Sequence, residues 1–264
     1  MDERDMTDLA DDFARDGAVC VRGAVPADLL QRVTEAVDAN LADPSDLAQV
    51  ASTADDPGRF VEDFCNWPRF PAYLELARAT APLAQALMGS RTVRLYHDHL
   101  LVKDAGTRQP TPWHQDQPYY DVDGRHVVSM WLPVDPVPRD STLEFVAGTH
   151  LGPWLMPRTF MQREAKWFPE GSLVDVPDVE ADRDAFPVLG WALDLGDAVF
   201  FHALTLHGSQ GAIGRRRVIS IRFLGDDVER VQRTWRCSPP IPDDATFPLL
   251  LTDAGTELDE ARER

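Results

Sequence analysis

Trp113-His114-Gln115-Asp116, answered far downstream by His207-Gly208-Ser209 and then by Arg216-Arg217-Val218-Ile219-Ser220-Ile221-Arg222-Phe223, decides how this chain is read. A histidine and a carboxylate two residues apart on one strand point the same way, because strand side chains alternate with period two. His207 adds a second imidazole. Two imidazoles and one carboxylate that leave coordination positions open form the arrangement expected for non-haem Fe(II). The downstream run alternates as a strand does: Arg216, Val218 and Ser220 share one face, while Arg217, Ile219, Ile221 and Phe223 share the other. An arginine facing inward beside a metal needs an anion. A dicarboxylate co-substrate fits, because the guanidinium fork takes a carboxylate through two hydrogen bonds. Ser209, two residues past His207, is placed to bond the same carboxylate. Arg215, Arg216 and Arg217 are consecutive, and a slip of one residue exchanges the faces, so alternation alone leaves open which of the three looks inward.

Outward from these motifs, the chain changes character once. Met6 to Asp16 reads as a helix with Leu9, Phe13 and Ala14 on one side. Pro26 opens a second helix carrying Leu29, Leu30, Val33 and Val37, and Tyr73 to Met88 reads as a third, closed by Gly89. Ala18 to Arg22 reads as a first strand, and the polar segment from Asp43 to Gly58 as loop or short turns. From Thr92 onward short strands take over: Val93 to Lys103, Val127 to Val134, Thr142 to Val146, Ala192 to Leu195, Ala198 to His202, and the Arg216 run. Helices first and many short strands after predict a β-sandwich core with helices packed on one side. The 21 prolines, many in the strand-rich half, argue against a parallel α/β sheet. Trp154 to Gly171, which holds Arg158, Arg163, Lys166, Trp167 and Phe168, is long for a connector and is expected to cover the site.

Composition sets the outer limits. A chain of 264 residues suffices for one large-cored domain, taken as residues 1–264. Its 44 acidic against 26 basic residues leave a net charge of −18, which argues against nucleic acid and anionic membrane surfaces as partners. Cys20, Cys65 and Cys237 are widely spaced and predict free thiols in a reducing, cytoplasmic setting. The acidic start has no apolar leader, and no apolar run is long enough for a membrane span.

Taken together, the Trp113–Asp116 motif, Gly148-Thr149-His150, Gly196-Asp197-Ala198, His207-Gly208-Ser209 and Arg216-Arg217 resemble the phytanoyl-CoA dioxygenase family of Fe(II)/2-oxoglutarate oxygenases, in order and over most of the chain. The resemblance implies a mainly β fold with helices: a double-stranded β-helix (jelly roll, cupin-like) core with N-terminal helices on one side. It implies Fe(II), 2-oxoglutarate and O2 as cofactor and co-substrates, and hydroxylation of a small-molecule metabolite with release of succinate and CO2. His114, Asp116 and His207 would be the iron ligands. Arg216, followed by a basic residue, a small aliphatic and Ser220, would hold the distal carboxylate of 2-oxoglutarate, with Ser209, Trp131 and His99 also contacting the co-substrate. Some relatives use a lysine there, whose position by counting falls near Phe60. Related halogenases carry a small residue in place of the aspartate, so Asp116 favours hydroxylation, with desaturation and epoxidation left open because they depend on where the substrate sits.

Tyr119 and Tyr120, directly after the motif, are candidate substrate contacts or rim packing. His97, His99, His126, His150 and His202 are not all ligands, and most of them are expected to be structural. Two other readings compete: a zinc or manganese hydrolase or isomerase on a cupin-like barrel, and a non-catalytic binding barrel. Substrate identity and oligomeric state are not legible.

Overall fold

The computed structural model describes residues 3–159, 164–235 and 237–253. Three helices precede most of the strands: α1 (Glu3–Asp16), α2 (Ala27–Ala42) and α3 (Pro71–Met88). Their ends follow local chemistry. Pro26, with φ −60°, stands at the N-cap of α2, Pro71 opens α3, and Gly89 ends it in the left-handed region at φ 63°.

The strands form a double-stranded β-helix whose pairings between named strands are all antiparallel. The larger sheet runs Ala18–Val21, Ala198–His202, Val127–Pro133, Arg216–Leu224, Thr92–Lys103, Phe60–Phe64, Gln49–Val50, with Leu249–Thr252 also paired to Thr92–Lys103. The smaller sheet runs Thr111–His114, His207–Ser209, Glu144–Val146, Val188–Leu189. The expected strand at Ala192–Leu195 is absent. Leu193 makes only an isolated bridge to Val137, and the strand of this region lies earlier, at Val188–Leu189. The polar stretch read as loop also contributes the short Gln49–Val50 strand, because its backbone pairs with Glu62 and Val61.

Alternation divides the larger sheet into two faces. Val128, Met130, Leu132, Ala198, Phe200, Ile219, Ile221 and Phe223 pack with α2 and α3 in the main core. The opposite face points into a cavity. Thr92–Lys103 obeys this rule only after a correction. Val93 and Leu95 are core residues, but so are Leu100 and Val102. The register shift opposite Arg222 and Phe223 inserts Tyr96 as an extra residue and exchanges the faces. His97, His99, Leu101 and Lys103 therefore line the cavity, side by side with Arg222, Ser220, Val218 and Arg216.

His202 closes the Ala198–His202 strand. Its Nε2 lies 2.7 Å from the Arg125 carbonyl, and its Nδ1 accepts from the Leu204 N–H at 3.0 Å. Both nitrogens are satisfied only in the neutral ring, and burial, with His150 nearby, pushes the pKa from 6.5 to about 4. The unfolded chain thus binds a proton that the folded one refuses, so stability is retained above about pH 6.5 and lost as pH falls toward 4. The expected loss from this residue is about 2 kcal/mol at about pH 5. Urea unfolding at pH 7 and 5 measures it, and His202→Gln should flatten that dependence.

Candidate active site

The smaller sheet brings the two histidines together. His207 and His114 are direct register partners, with ring centroids 4.2 Å apart. Asp116 joins them by a different route from the one the spacing predicts. The strand ends at His114, and Asp116 sits beyond it in α-helical backbone (φ −73°, ψ −46°), leading into a short 3-10 turn at Gln117–Tyr119. The Asp116 N–H donates to the Ala203 carbonyl at 2.8 Å, which fixes that turn against the end of the neighbouring strand. The period-two argument is therefore wrong in its mechanism although the two side chains do converge: Asp116 Oδ1 lies 3.5 Å from His114 Nε2 and 3.7 Å from His207 Nε2. One donor atom from each of the three residues lies within 4.8 Å of the others.

Tautomers decide what this trio can hold. His114 Nδ1 is 2.8 Å from the Pro112 carbonyl and His207 Nδ1 is 2.8 Å from the Thr205 carbonyl. A carbonyl only accepts, so each Nδ1 carries the proton and each Nε2 presents a lone pair. Two lone pairs and a carboxylate oxygen converging on one point fit a divalent cation. Burial pushes the Asp116 carboxyl upward, but the adjacent Arg222 guanidinium outweighs it and helps hold it well below the usual carboxylate range. Burial and neighbouring His114 push His207 down to about 3, so it is a neutral ligand at any ordinary pH. The second Asp116 oxygen accepts from Ser129 Oγ at 3.0 Å and Arg222 Nη2 at 3.3 Å. Arg222 was given no role by the sequence reading, although it shares the face of Arg216, Val218 and Ser220.

The other residues of the motif hold the surroundings. Gln115 accepts from the Leu155 N–H and donates to the Leu204 carbonyl, and Trp113 Nε1 donates to Glu180 at 2.9 Å. Gly208 lies between the ligand His207 and Ser209. A Cβ there would meet the Thr111 carbonyl oxygen at 3.0 Å and the Trp113 backbone nitrogen at 3.2 Å. Gly208→Ala is expected to push the two histidine strands apart and cost about 1–3 kcal/mol of stability, read as a lowered urea midpoint together with weaker metal binding.

Beside the trio lies the cavity, with a volume of about 310 Å³. Arg216 faces it, and its neighbours do not: Arg217 pairs with Asp135 and Asp38, and Arg215 reaches toward Asp104. Arg216 donates to the Ser141 carbonyl, reaches Ser209 Oγ at 3.2 Å, and lies 5.5 Å above the Trp131 ring. No acidic side chain among the described residues pairs with it, and burial pulls its pKa down to about 10. Lys103, the register partner of Arg216, is buried next to it. Its ammonium reaches the Gln210 carbonyl at 2.9 Å and Ser209 Oγ at 3.3 Å and sits over the Phe60 ring. Burial, then Arg216, pushes Lys103 well below the usual lysine range. Counting along the sequence puts a co-substrate lysine near Phe60, and Phe60 and Lys103 are themselves register partners. A buried lysine thus stands beside that position, on the adjacent strand. The sequence signal is a lysine that closes the short apolar stretch Leu100-Leu101-Val102, two and four residues beyond Leu101 and His99.

His99 stacks on Phe64 at 4.1 Å and lies 3.2 Å from Glu62, whose carboxyl burial raises and His99 more than restores. His97 also lines the cavity. Tyr119 and Tyr120 line it too, but their hydroxyls are engaged elsewhere. The Tyr119 hydroxyl bonds the backbone of Arg158, and that of Tyr120 accepts from Arg222 Nε at 3.1 Å. The long segment after Trp154 reaches the cavity through Thr159 and Lys166, the latter lying 4.2 Å over Trp167. Arg163 lies outside the described residues. No helix among the described residues is long and apolar enough to cross a membrane.

The chain is similar to a probable phytanoyl-CoA dioxygenase of Caenorhabditis elegans, 27% identical over 194 residues, a match that covers 70% of this chain and 56% of that relative. The chain thus spans little more than half the length of that curated relative. Among solved structures it resembles the non-heme alpha ketoglutarate dependent epimerase SnoN from nogalamycin biosynthesis (TM-score 0.69, 21% identity, 95% of this chain and 100% of that one). It also resembles EctD from S. alaskensis with 2-oxoglutarate and 5-hydroxyectoine (TM-score 0.65, 20% identity, 92% of this chain and 82% of that one). At these identities the structures establish the fold alone. The model of the phytanoyl-CoA dioxygenase family matches residues 13–217, well over half the sequence, and the chain belongs to that family.

Proposed function

We propose that this protein is an Fe(II)- and 2-oxoglutarate-dependent dioxygenase that hydroxylates a small-molecule metabolite, with residues 1–264 acting as one domain. The observation that carries the reading is the buried Lys103–Arg216 pair, two cations without an acidic partner among the described residues, beside three converging lone-pair donors. His114, Asp116 and His207 would hold the iron. Arg216 and Lys103 would hold the distal carboxylate of 2-oxoglutarate, with Ser209 between them as shared acceptor and Trp131 as the floor under the guanidinium. When bound, the ferrous ion and keto acid supply the oxidation: O2 is consumed, 2-oxoglutarate is split to succinate and CO2, and one oxygen atom enters a substrate C–H bond.

The chain's own residues prepare the site. The Pro112 and Thr205 carbonyls fix the two imidazole tautomers, and Ser129 and Arg222 hold one Asp116 oxygen so that the other faces the histidines. Phe145 and Phe201 pack around His207 and keep water from that side. SnoN is named as an epimerase in complex with Fe3+ and alpha ketoglutarate, and EctD with 2-oxoglutarate, which supports the co-substrate assignment. The hydrolase or isomerase reading leaves the two buried cations without a ligand. Oxygen uptake and succinate release with Fe(II) and 2-oxoglutarate test the proposal; binding of zinc with no keto-acid turnover under any metal would refute it.

A further inference from the structure

We propose, resting on the oxygenase reading, that Arg222 and His97 form a substrate-recognition pair for a small hydroxy acid, the guanidinium taking the carboxylate and the imidazole taking the adjacent hydroxyl. The two residues are direct partners on neighbouring strands and face the same cavity. Both are almost wholly buried, with exposures of 5% and 1%. Each lines the cavity and carries one buried polar atom with no hydrogen-bond partner. Arg222 spends Nε on Tyr120 and Nη2 on Asp116, but Nη1 has no partner. His97 directs Nδ1 at the Asp98 carbonyl, so that nitrogen carries the proton, and Nε2 is a lone-pair acceptor without a donor. Buried polar atoms are nearly always paired, and an orphan donor beside an orphan acceptor in a cavity marks a ligand that supplies the complements. Side chains of register partners stand about 5 Å apart, a spacing bridged by groups on the same or adjacent carbons.

Charge selects an acid over a neutral alcohol. Four basic side chains line the cavity, Lys103, Lys166, Arg216 and Arg222, against two carboxylates, Glu62 and Asp116. A divalent ion and a doubly charged 2-oxoglutarate cancel one another, so the loaded site keeps its positive excess on a chain whose overall net charge is −18. Arg216 and Lys103 are occupied by the co-substrate in this reading, which leaves Lys166 and Arg222 for a second molecule, and of these Arg222 stands beside the metal ligand Asp116.

The test is anaerobic calorimetry on the Mn(II)- and 2-oxoglutarate-loaded protein with a size series of 2-hydroxy acids, each beside its methyl ester and its deoxy acid. At least one acid should bind, with ester and deoxy acid weaker by about tenfold or more. Arg222→Gln should erase the preference for acid over ester. His97→Phe should erase the preference for hydroxy over deoxy acid without changing the affinity for 2-oxoglutarate. The proposal is overturned if no acid binds better than its ester, if the preferences survive both replacements, or if Arg222→Gln weakens 2-oxoglutarate while leaving the acid preference intact. Should Arg222→Gln not fold, His97→Phe decides alone. If wild type fails to bind 2-oxoglutarate, the oxygenase reading fails, and the same acid series on the unloaded protein still decides the pair.

Discussion

His207→Ala is expected to abolish iron binding and all iron-dependent turnover while leaving the chain folded. The imidazole is buried beside Phe145 and Phe201 and supplies one of the three converging donors found among the described residues. Groups that merely orient a ligand are worth about 10–100-fold in metal affinity, so deletion of a ligand should exceed about 100-fold. Anaerobic Fe(II) titration and succinate formation measure it, and circular dichroism confirms the fold. Asp116→Ala should be worse in a distinguishable way. It removes a ligand and also leaves Arg222 Nη2 buried without its carboxylate, which costs stability by about 3–5 kcal/mol. A His207→Ala protein that keeps wild-type iron affinity would move the metal elsewhere.

Arg216→Ala is expected to raise KM for 2-oxoglutarate by about 10–150-fold, the equivalent of losing a charged hydrogen bond worth about 1.5–3 kcal/mol, with a smaller effect on kcat. Lys103→Met should act in the same direction, and the two effects should not add, since both cations share Ser209 and one anion. Stability should move the other way. Two buried like charges without an acid partner are a cost to the free fold, so Lys103→Met should raise the melting temperature of the unloaded protein and reduce the extra stabilisation that 2-oxoglutarate gives. Each of these is read by thermal melts with and without the keto acid. A KM that does not change, together with a lower melting temperature, would make Lys103 a structural residue.

Much of this was legible in the chain because strand periodicity is a local property. The faces of Arg216–Leu224 follow alternation from end to end, and the apolar spacing of α2 predicts the residues it buries. Where the reading failed, the cause was non-local. Asp116 reaches the histidines because the Ala203 carbonyl captures its N–H, a contact between segments nearly ninety residues apart. Lys103 lies beside Phe60 because the two strands are paired, and sequence counting along one strand does not see its neighbour. The extra residue at Tyr96 exchanges the faces of Thr92–Lys103, so alternation carried forward from Val93 turns His97 and His99 away from the cavity. Leu193 was read as strand from its apolar neighbours, but a single bridge to Val137 is all the sheet offers it.

The bulge at Tyr96 has a consequence for how such a protein diversifies. With the phase reset there, His97, His99, Leu101 and Lys103 face the cavity with Arg216, Val218 and Arg222, while Leu100, Val102, Ile219 and Ile221 belong to the helical layer. Exchanges at the even- or odd-numbered set can retune what is accepted without loosening the fold beneath, and an insertion or deletion in that one turn of backbone would swap the two assignments wholesale, exposing leucines to the reaction chamber and driving a lysine into the oily layer.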